Sequence, residues 1–219
     1  MITAVVLDMD GLMLDTESIY KRAVQRASAQ LGFPLDEPSY MTLVGLTNVA
    51  TEAAIVDRFG ESFPMIRFRE LWNDSWRREI ETSGVPIKPG LPELLAFLEA
   101  RQTPRAVATS SDQYYAGMSL RAARLDGRFH HVVTVDQVAH GKPAPDLYLE
   151  AARRLGVAPA QCIALEDSDV GVLSASAAGL TTLMVPDLKP PSAAARAAAY
   201  RIVATLHEAQ AHIAELLAA

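Results

Sequence analysis

Hydrophobic residues follow two alternating patterns along the chain. Short apolar runs predict buried strands, and stretches with apolar residues three or four positions apart predict amphipathic helices. The predicted strands span residues 2–7, 105–108, 131–135, 162–165, 181–185 and, with a weaker pattern, 200–203. The predicted helices span residues 91–100, 114–125, 146–155 and 170–177, and the alanine-rich residues 192–219 also carry a helical pattern. Such alternation predicts an α/β fold, a Rossmann-like parallel sheet with helices on both faces.

One long segment breaks this alternation. After the first predicted strand no convincing strand occurs before residue 85, whereas helical patterns cover residues 17–31, 48–59 and 63–82. We therefore expect a small all-helical cap domain over residues 16–84, inserted into an α/β core domain made of residues 1–15 and 85–219. Two connections, near residues 14–16 and 83–88, would allow such an insert to move as a lid.

The composition is that of an ordinary globular protein, and it narrows the range of partners. The 219 residues are 50% hydrophobic and 21% charged, with a formal net charge of -6. This charge disfavours nucleic acid, which needs a basic patch, and no stretch approaches the roughly 18 apolar residues of a membrane span. We therefore expect that the protein binds neither nucleic acid nor a membrane. We also expect it to be a monomer or a weak dimer. The single cysteine, Cys162, and the absence of a signal-peptide pattern predict a cytoplasmic location.

Polar and charged side chains follow four of the predicted strands. The first strand ends in DMDG at residues 8–11, and the second ends in TSSD at residues 109–112. The third precedes a loop that contains Lys142, and the fourth ends in EDSD at residues 166–169. Because ligands of open α/β sheets bind beyond the carboxyl ends of the strands, we expect these groups to converge at one edge.

This set of groups is suited to a phosphoryl group held beside a metal ion. Several carboxylates in one cleft repel one another, and a set of oxygen ligands suits Mg²⁺, with Asp8 and Asp167 as candidate ligands and Glu166 nearby. Lys142 and the hydroxyl of Thr109 or Ser110 suit the oxygens of a phosphate. Phosphoryl transfer depends mainly on positioning and charge neutralisation, and a carboxylate nucleophile would form an aspartyl-phosphate.

Four segments in this order, DMDGLMLDTE, ATSS, GKPAPD and ALEDSDVG, resemble the four motifs of the haloacid dehalogenase-like (HAD) superfamily. The chain is most similar to the branch that contains phosphoglycolate phosphatases, β-phosphoglucomutases and sugar phosphatases. In that branch a helical C1-type cap follows the first motif. The resemblance covers nearly the whole chain. It implies an enzyme that uses Mg²⁺ and acts on a small phosphorylated metabolite.

The resemblance also implies a catalytic role for each matching residue. Asp8 would be the nucleophile. Asp10 would protonate the leaving oxygen and afterwards activate a water molecule. Thr109 would bind the transferring phosphoryl group, and Lys142 would bridge that group to Asp8.

The metal and phosphate ligands follow from the same resemblance. Asp8, the backbone carbonyl of Asp10 and Asp167 would hold Mg²⁺, with Glu166 assisting. Backbone amides around Met9, Asp10 and Ser110 would complete the cradle for the phosphate.

A phosphatase and a β-phosphoglucomutase-like phosphomutase would share this core. In the mutases that this chain resembles, a histidine in the first cap helix and an arginine after a cap glycine exclude water and bind a second phosphate. Tyr20 and Asn48 stand at those positions, which favours the phosphatase. A dehalogenase has no use for the acid at Asp10, and a non-catalytic binding protein is disfavoured because none of the key groups is missing.

The cap is expected to select the substrate. Gly45, Leu46, Thr47 and Asn48 resemble the loop that caps of this family insert over the active site. We expect Thr47 and Asn48 to contact the leaving group, with Tyr20 close by. None of these side chains carries a charge, which disfavours a second strongly bound anionic group.

Overall fold

The protein is described by a computed structural model that covers residues 1–44 and 48–218, without the side chains of residues 48 and 49. The chain divides into two compact units. One unit, the core unit, comprises Met1–Asp15 and Val85–Ala219, and the other, the helical unit, comprises Thr16–Gly84. The core unit contains a sheet with helices, whereas every named element in the described part of the helical unit is a helix.

Six parallel strands form the sheet of the core unit. They are β1 Ala4–Leu7, β2 Arg105–Ala108, β3 His131–Val133, β4 Cys162–Glu166, β5 Thr181–Met184 and β6 Arg201–Ile202. Their order is β3-β2-β1-β4-β5-β6, and each neighbouring pair is parallel. The residues of β1, β2 and β4 are buried throughout, as expected for strands covered on both faces. The predicted α/β fold class is confirmed.

The helices follow the predicted pattern closely. In the helical unit they are α1 Thr16–Gln30, α2 Glu37–Met41, α3 Asn48–Phe59 and α4 Met65–Ser83. In the core unit they are α5 Leu91–Ala100, α6 Gln113–Ala122, α7 Asp146–Leu155, α8 Asp169–Ala177, α9 Ala193–Ala198 and α10 Leu206–Ala218. Over the described part of the chain, none of these helices has the length and apolar character needed to cross a membrane.

The predicted elements and the structure differ in two places. The tail is not one helix, because β6, which the weaker pattern over residues 200–203 predicts, separates α9 from α10. The amide of Tyr200 donates to the carbonyl of Thr182 (2.8 Å), and the amide of Val203 donates to the carbonyl of Met184 (2.9 Å), so pairing with β5 interrupts the helical pattern. The short helix α2 has no periodic pattern to predict it. Its start is fixed by Asp36, whose side chain accepts a hydrogen bond from the Ser39 amide.

Aromatic rings form much of the interior of the helical unit. The ring of Phe63 lies 5.1 Å from that of Phe33 and 5.3 Å from that of Phe68. Trp72 lies 5.8 Å from Phe68 and meets Tyr20 edge to face at 4.8 Å. Edge-to-face and tilted pairs at these separations add to the free energy gained by burial of the rings.

The start of helix α8 packs against the side chain of Glu166, the last residue of the strand that precedes it. Ser168 caps this helix, since its hydroxyl accepts a hydrogen bond from the Gly171 amide (3.2 Å). A Cβ atom at Gly171 would lie 2.0 Å from the carboxyl atoms of Glu166, the buried last residue of β4. No side-chain atom fits at that distance. Glycine at this position is therefore what lets α8 begin directly against the end of β4.

We expect Gly171→Ala to destabilise the protein by about 1–3 kcal/mol, because an added methyl group must displace either Glu166 or α8. Gly117→Ala in α6 is the matched control. Its Cβ would meet only the flexible end of the Arg121 side chain at 3.2 Å, and alanine is a better helix former than glycine. Urea unfolding of both variants measures the difference. Equal stabilities would contradict the close packing of α8 on Glu166.

Candidate active site

Three acidic side chains meet at the carboxyl edge of the sheet. Asp8 directly follows β1, Glu166 ends β4, and Asp167 is the next residue. Strands β1 and β4 are neighbours, and the amide of Asp8 donates to the carbonyl of Leu165 (3.0 Å), which brings their ends to one level. One carboxylate oxygen from each of the three acids lies within 4.8 Å of the others.

The charge of this cluster and its burial fit a bound cation. Burial raises the pKa of Asp8 to about 8; Lys142 acts in the opposite direction, and the carboxylate of Glu166 adds to the rise. Burial also raises the pKa of Asp167 well above its usual range, and Asp8 and Glu166 raise it further. Both effects reflect the cost of several negative charges in one poorly solvated place. A divalent cation would offset that cost, and a set of carboxylate oxygens suits Mg²⁺.

Lys142 supplies a buried positive charge to the cluster. Its side chain is only 3% exposed, and its Nζ donates to Asp8 Oδ1 and to Glu166 Oε1, the latter at 2.5 Å. The ammonium also lies over the ring of Tyr148, 5.3 Å from its centroid. Burial lowers the pKa of Lys142, but the carboxylates of Asp8 and Glu166 outweigh it and raise the pKa above its usual value. Lys142 therefore stays charged and joins the ends of β1 and β4.

Glu166 is held in place through both of its carboxylate oxygens. Oε1 accepts hydrogen bonds from Lys142 and from the hydroxyl of Tyr148 (2.5 Å). Oε2 accepts from the amide of Asp167 (3.2 Å) and from the hydroxyl of Ser168 (3.2 Å). Direct coordination of a metal by Glu166 would compete with these bonds. The geometry favours Asp8 and Asp167 as direct ligands, with Glu166 orienting Lys142.

The carboxylate of Asp10 accepts hydrogen bonds from residues that directly follow β2. Its Oδ2 accepts hydrogen bonds from the hydroxyls of Thr109 (3.1 Å) and Ser111 (2.9 Å). The Thr109 hydroxyl in turn accepts a hydrogen bond from the amide of Ser111 (3.0 Å). The site thus contains two acids only two residues apart, Asp8 and Asp10, in different surroundings. Asp8 contacts an ammonium, whereas Asp10 contacts hydroxyl groups.

A tight turn over residues 9–15 follows Asp8 and explains the glycine at its start. The amide of Leu14 donates to the carbonyl of Met9 (3.0 Å), and the amide of Gly11 donates to the carbonyl of Leu14 (2.9 Å). Gly11 has a φ of +87°, and a Cβ there would lie 2.3 Å from Asp167 Oδ2. Both the backbone conformation and the close approach of Asp167 require glycine.

Of the core-unit residues predicted for the site, Met9 and Ser110 make no described side-chain contact with these acids. The side chain of Met9 is fully buried, and Ser110 is exposed at the end of β2. Tyr20 lies in α1 against Trp72, and burial raises the pKa of its hydroxyl. Gly45, Leu46 and Thr47 lie outside the described residues, as does the side chain of Asn48, so the expected substrate contacts of this loop stay predictions.

Three residues outside the predicted set of site residues support the acids of the site. Ser111 donates to Asp10, Tyr148 donates to Glu166, and Gly171 makes room for Glu166. Two of them, Tyr148 and Gly171, have features in the sequence that could have indicated their role. A tyrosine on the apolar face of a helix needs a partner for its hydroxyl, and a glycine inside a helical pattern usually has a packing reason. Nothing in the sequence distinguishes Ser111 from Ser110.

Comparison with known proteins places the chain in a family. A model of the haloacid dehalogenase-like hydrolases matches residues 5–185. The chain is 31% identical over 177 residues to the phosphorylated carbohydrates phosphatase of Thermotoga maritima, covering 81% of this chain and 82% of that protein. It is 33% identical over 181 residues to the fructose-1-phosphate phosphatase of Escherichia coli, covering 82% of this chain and 94% of that protein.

Solved structures agree with this match. The fold is similar to that of a candidate β-phosphoglucomutase from Thermotoga maritima, with a TM-score of 0.84, 29% identity and coverage of 98% and 99% of the two chains. It is also similar to CbbY from Rhodobacter sphaeroides, crystallised in complex with phosphate, with a TM-score of 0.79, 26% identity and coverage of 95% and 96%. The prediction from the four motifs is confirmed: the chain belongs to the haloacid dehalogenase-like hydrolase family, among sugar phosphatases and β-phosphoglucomutase-like structures.

Proposed function

We propose that the protein is a Mg²⁺-dependent phosphatase that hydrolyses a small phosphate monoester, a sugar phosphate or a similar metabolite, through an aspartyl-phosphate. The observation that carries this proposal is the buried Asp8 carboxylate, which contacts Lys142 and lies beside Glu166 and Asp167. The named activities of the two relatives, on phosphorylated carbohydrates and on fructose 1-phosphate, support the substrate class.

In this proposal Asp8 and Asp10 act on opposite sides of one phosphorus atom. A carboxylate oxygen of Asp8 forms a bond to phosphorus while the bond from phosphorus to the leaving oxygen breaks, and Asp10 gives that oxygen a proton. Asp10 then takes a proton from a water molecule. The water oxygen bonds to phosphorus, the bond from phosphorus to Asp8 breaks, and inorganic phosphate leaves. The proton count and the charge on both acids return to their starting values.

The other residues of the site position the phosphoryl group and offset its charge. Lys142, already bonded to Asp8, would donate to a phosphoryl oxygen. The Thr109 hydroxyl, which donates to Asp10, would turn towards another phosphoryl oxygen when substrate binds. Mg²⁺, held by Asp8 and Asp167, would supply further positive charge where the phosphoryl group is transferred.

The helical unit is the cap in this proposal, and the resemblance gives it the task of selecting the substrate. We propose that the substrate is contacted directly by Tyr20, Gly45, Thr47 and Asn48. The cytoplasmic location and the monomeric or weakly dimeric state stay predictions.

We expect Asp8→Asn to abolish turnover of p-nitrophenyl phosphate, because an amide cannot serve as the nucleophile. Asp10→Asn is expected to slow turnover by about 10²–10⁴-fold, the usual worth of a general acid or base. Asp126→Asn, at an exposed position of the core unit, is the matched control. Steady-state kinetics measure all three, with circular dichroism to check folding. Near-normal turnover by folded Asp8→Asn would reject the mechanism.

A phosphomutase is the second candidate, because a candidate β-phosphoglucomutase is among the similar structures. The Tyr20 ring packs against Trp72 where the mutases of this branch carry a histidine, which weakens that alternative. Product analysis with β-glucose 1-phosphate separates the two reactions. We expect glucose and inorganic phosphate in equal amounts. Glucose 6-phosphate without free phosphate would establish the mutase instead.

A further inference from the structure

A fourth acid, Asp187, follows the strand that neighbours β4. Asp187 follows the end of β5, which pairs with β4 so that Met184 lies opposite Glu166. Beyond this pair, the amide of Val185 donates to the carbonyl of Glu166 (2.7 Å). The parallel register therefore carries Asp187 to the same carboxyl edge, beside the segment that begins with Asp167.

Lys88 holds Asp187 in position. Its Nζ donates to Asp187 Oδ1 at 2.6 Å, and the two side chains are only 21% and 16% exposed. Lys88 is itself fixed to the turn that follows β1, because its amide donates to the carbonyl of Met13 (2.9 Å) and the preceding Ile87 pairs with Leu14. The ion pair thus links the turn after β1 to the segment after β5, the two strands that flank β4.

The second oxygen of Asp187 remains available. Oδ2 is buried and has no hydrogen-bond partner among the described residues. A buried carboxylate oxygen without a hydrogen-bond donor is costly in free energy, so we expect a donor such as a water molecule beside it. Burial raises the pKa of Asp167, and the charges of Asp8 and Glu166 raise it further. The charge of Asp187 adds to this rise, so the carboxylates of Asp167 and Asp187 interact electrostatically.

We propose that Asp187 is a positioning residue of the metal site, whose Oδ2 accepts a hydrogen bond from a water molecule on the cation held by Asp8 and Asp167. The inference rests on the proposed function, because it requires that cation. Protein-bound Mg²⁺ keeps several of its waters, and groups that bond to them orient the ion. Lys88 fixes the Asp187 carboxylate and neutralises it, so the site gains an acceptor without a further net negative charge.

Calorimetric titration of Mg²⁺ into metal-free protein tests this role without any turnover. We expect Asp187→Asn to weaken Mg²⁺ binding by about 10-fold or more. Lys88 has only donors, so it takes the amide oxygen of the new side chain. The NH₂ group then replaces Oδ2, and it cannot accept a hydrogen bond from water.

Lys88→Met and Glu150→Gln are the two comparisons. Lys88→Met breaks the same ion pair but keeps the acceptor at Asp187, and the carboxylate charge that Lys88 no longer neutralises attracts the cation, so we expect a loss of less than about threefold. Glu150→Gln removes an acid that pairs with Arg153 and Arg154 on α7, and it is expected to leave Mg²⁺ binding unchanged. Equal losses in Asp187→Asn and Lys88→Met would mean that the pair is merely structural, and would overturn the proposal.

Further outcomes are equally decisive. Binding by Asp187→Asn within about twofold of the unaltered protein would overturn the proposal. If Asp187→Asn does not fold, as judged by circular dichroism, Asp187→Ala removes the acceptor without adding a donor and is expected to show the same loss. Failure of the unaltered protein to bind Mg²⁺ would reject the metal in the proposed function and this inference with it. A normal wild-type titration with unaffected Asp187 variants would reject the inference alone.

Discussion

The ammonium of Lys142 lies between the carboxylates of Asp8 and Glu166, at the junction of the two central strands of the sheet. Buried charges are tolerated only when they are paired and hydrogen-bonded, and removal of one partner leaves the others uncompensated. Lys142 is the one residue that contacts both Asp8, which follows β1, and Glu166, which ends β4, among the ion pairs of the described chain. Its position therefore fixes the carboxylate of Asp8, the proposed nucleophile, beside the acid at the end of the neighbouring strand.

The backbone is arranged to make room for these acids. Gly11 lets Asp167 approach the turn after β1, and Gly171 lets Glu166 lie against the start of α8. At each position the neighbouring carboxylate excludes any residue larger than glycine, since a Cβ atom would overlap that carboxylate. The two glycines make room for the carboxylates, and the charge of Lys142 offsets the repulsion between them. Together they allow these carboxylates to be concentrated at one edge of the sheet.

The sequence predicts the arrangement of the strands and the acids well, because both follow from local patterns. Apolar runs define the strands of a sheet covered on both faces, and the parallel rule brings Asp8, Glu166 and Asp167 to one edge. Contacts that depend on exact side-chain placement are harder to predict. The bond from Ser111 to Asp10 and the bond from Lys88 to Asp187 join residues about a hundred positions apart, and no spacing along the chain indicates either of them.

Covalent participation of Asp8 is the central claim, and trapping of the phosphorylated enzyme tests it most directly. The protein would be mixed with a radiolabelled sugar phosphate, quenched in acid within milliseconds and digested with trypsin, which cleaves after Lys21. We predict label on the peptide of residues 1–21, removable by hydroxylamine as expected for an acyl phosphate, and absent from Asp8→Asn. Label on another peptide, or label that persists in Asp8→Asn, would contradict the mechanism.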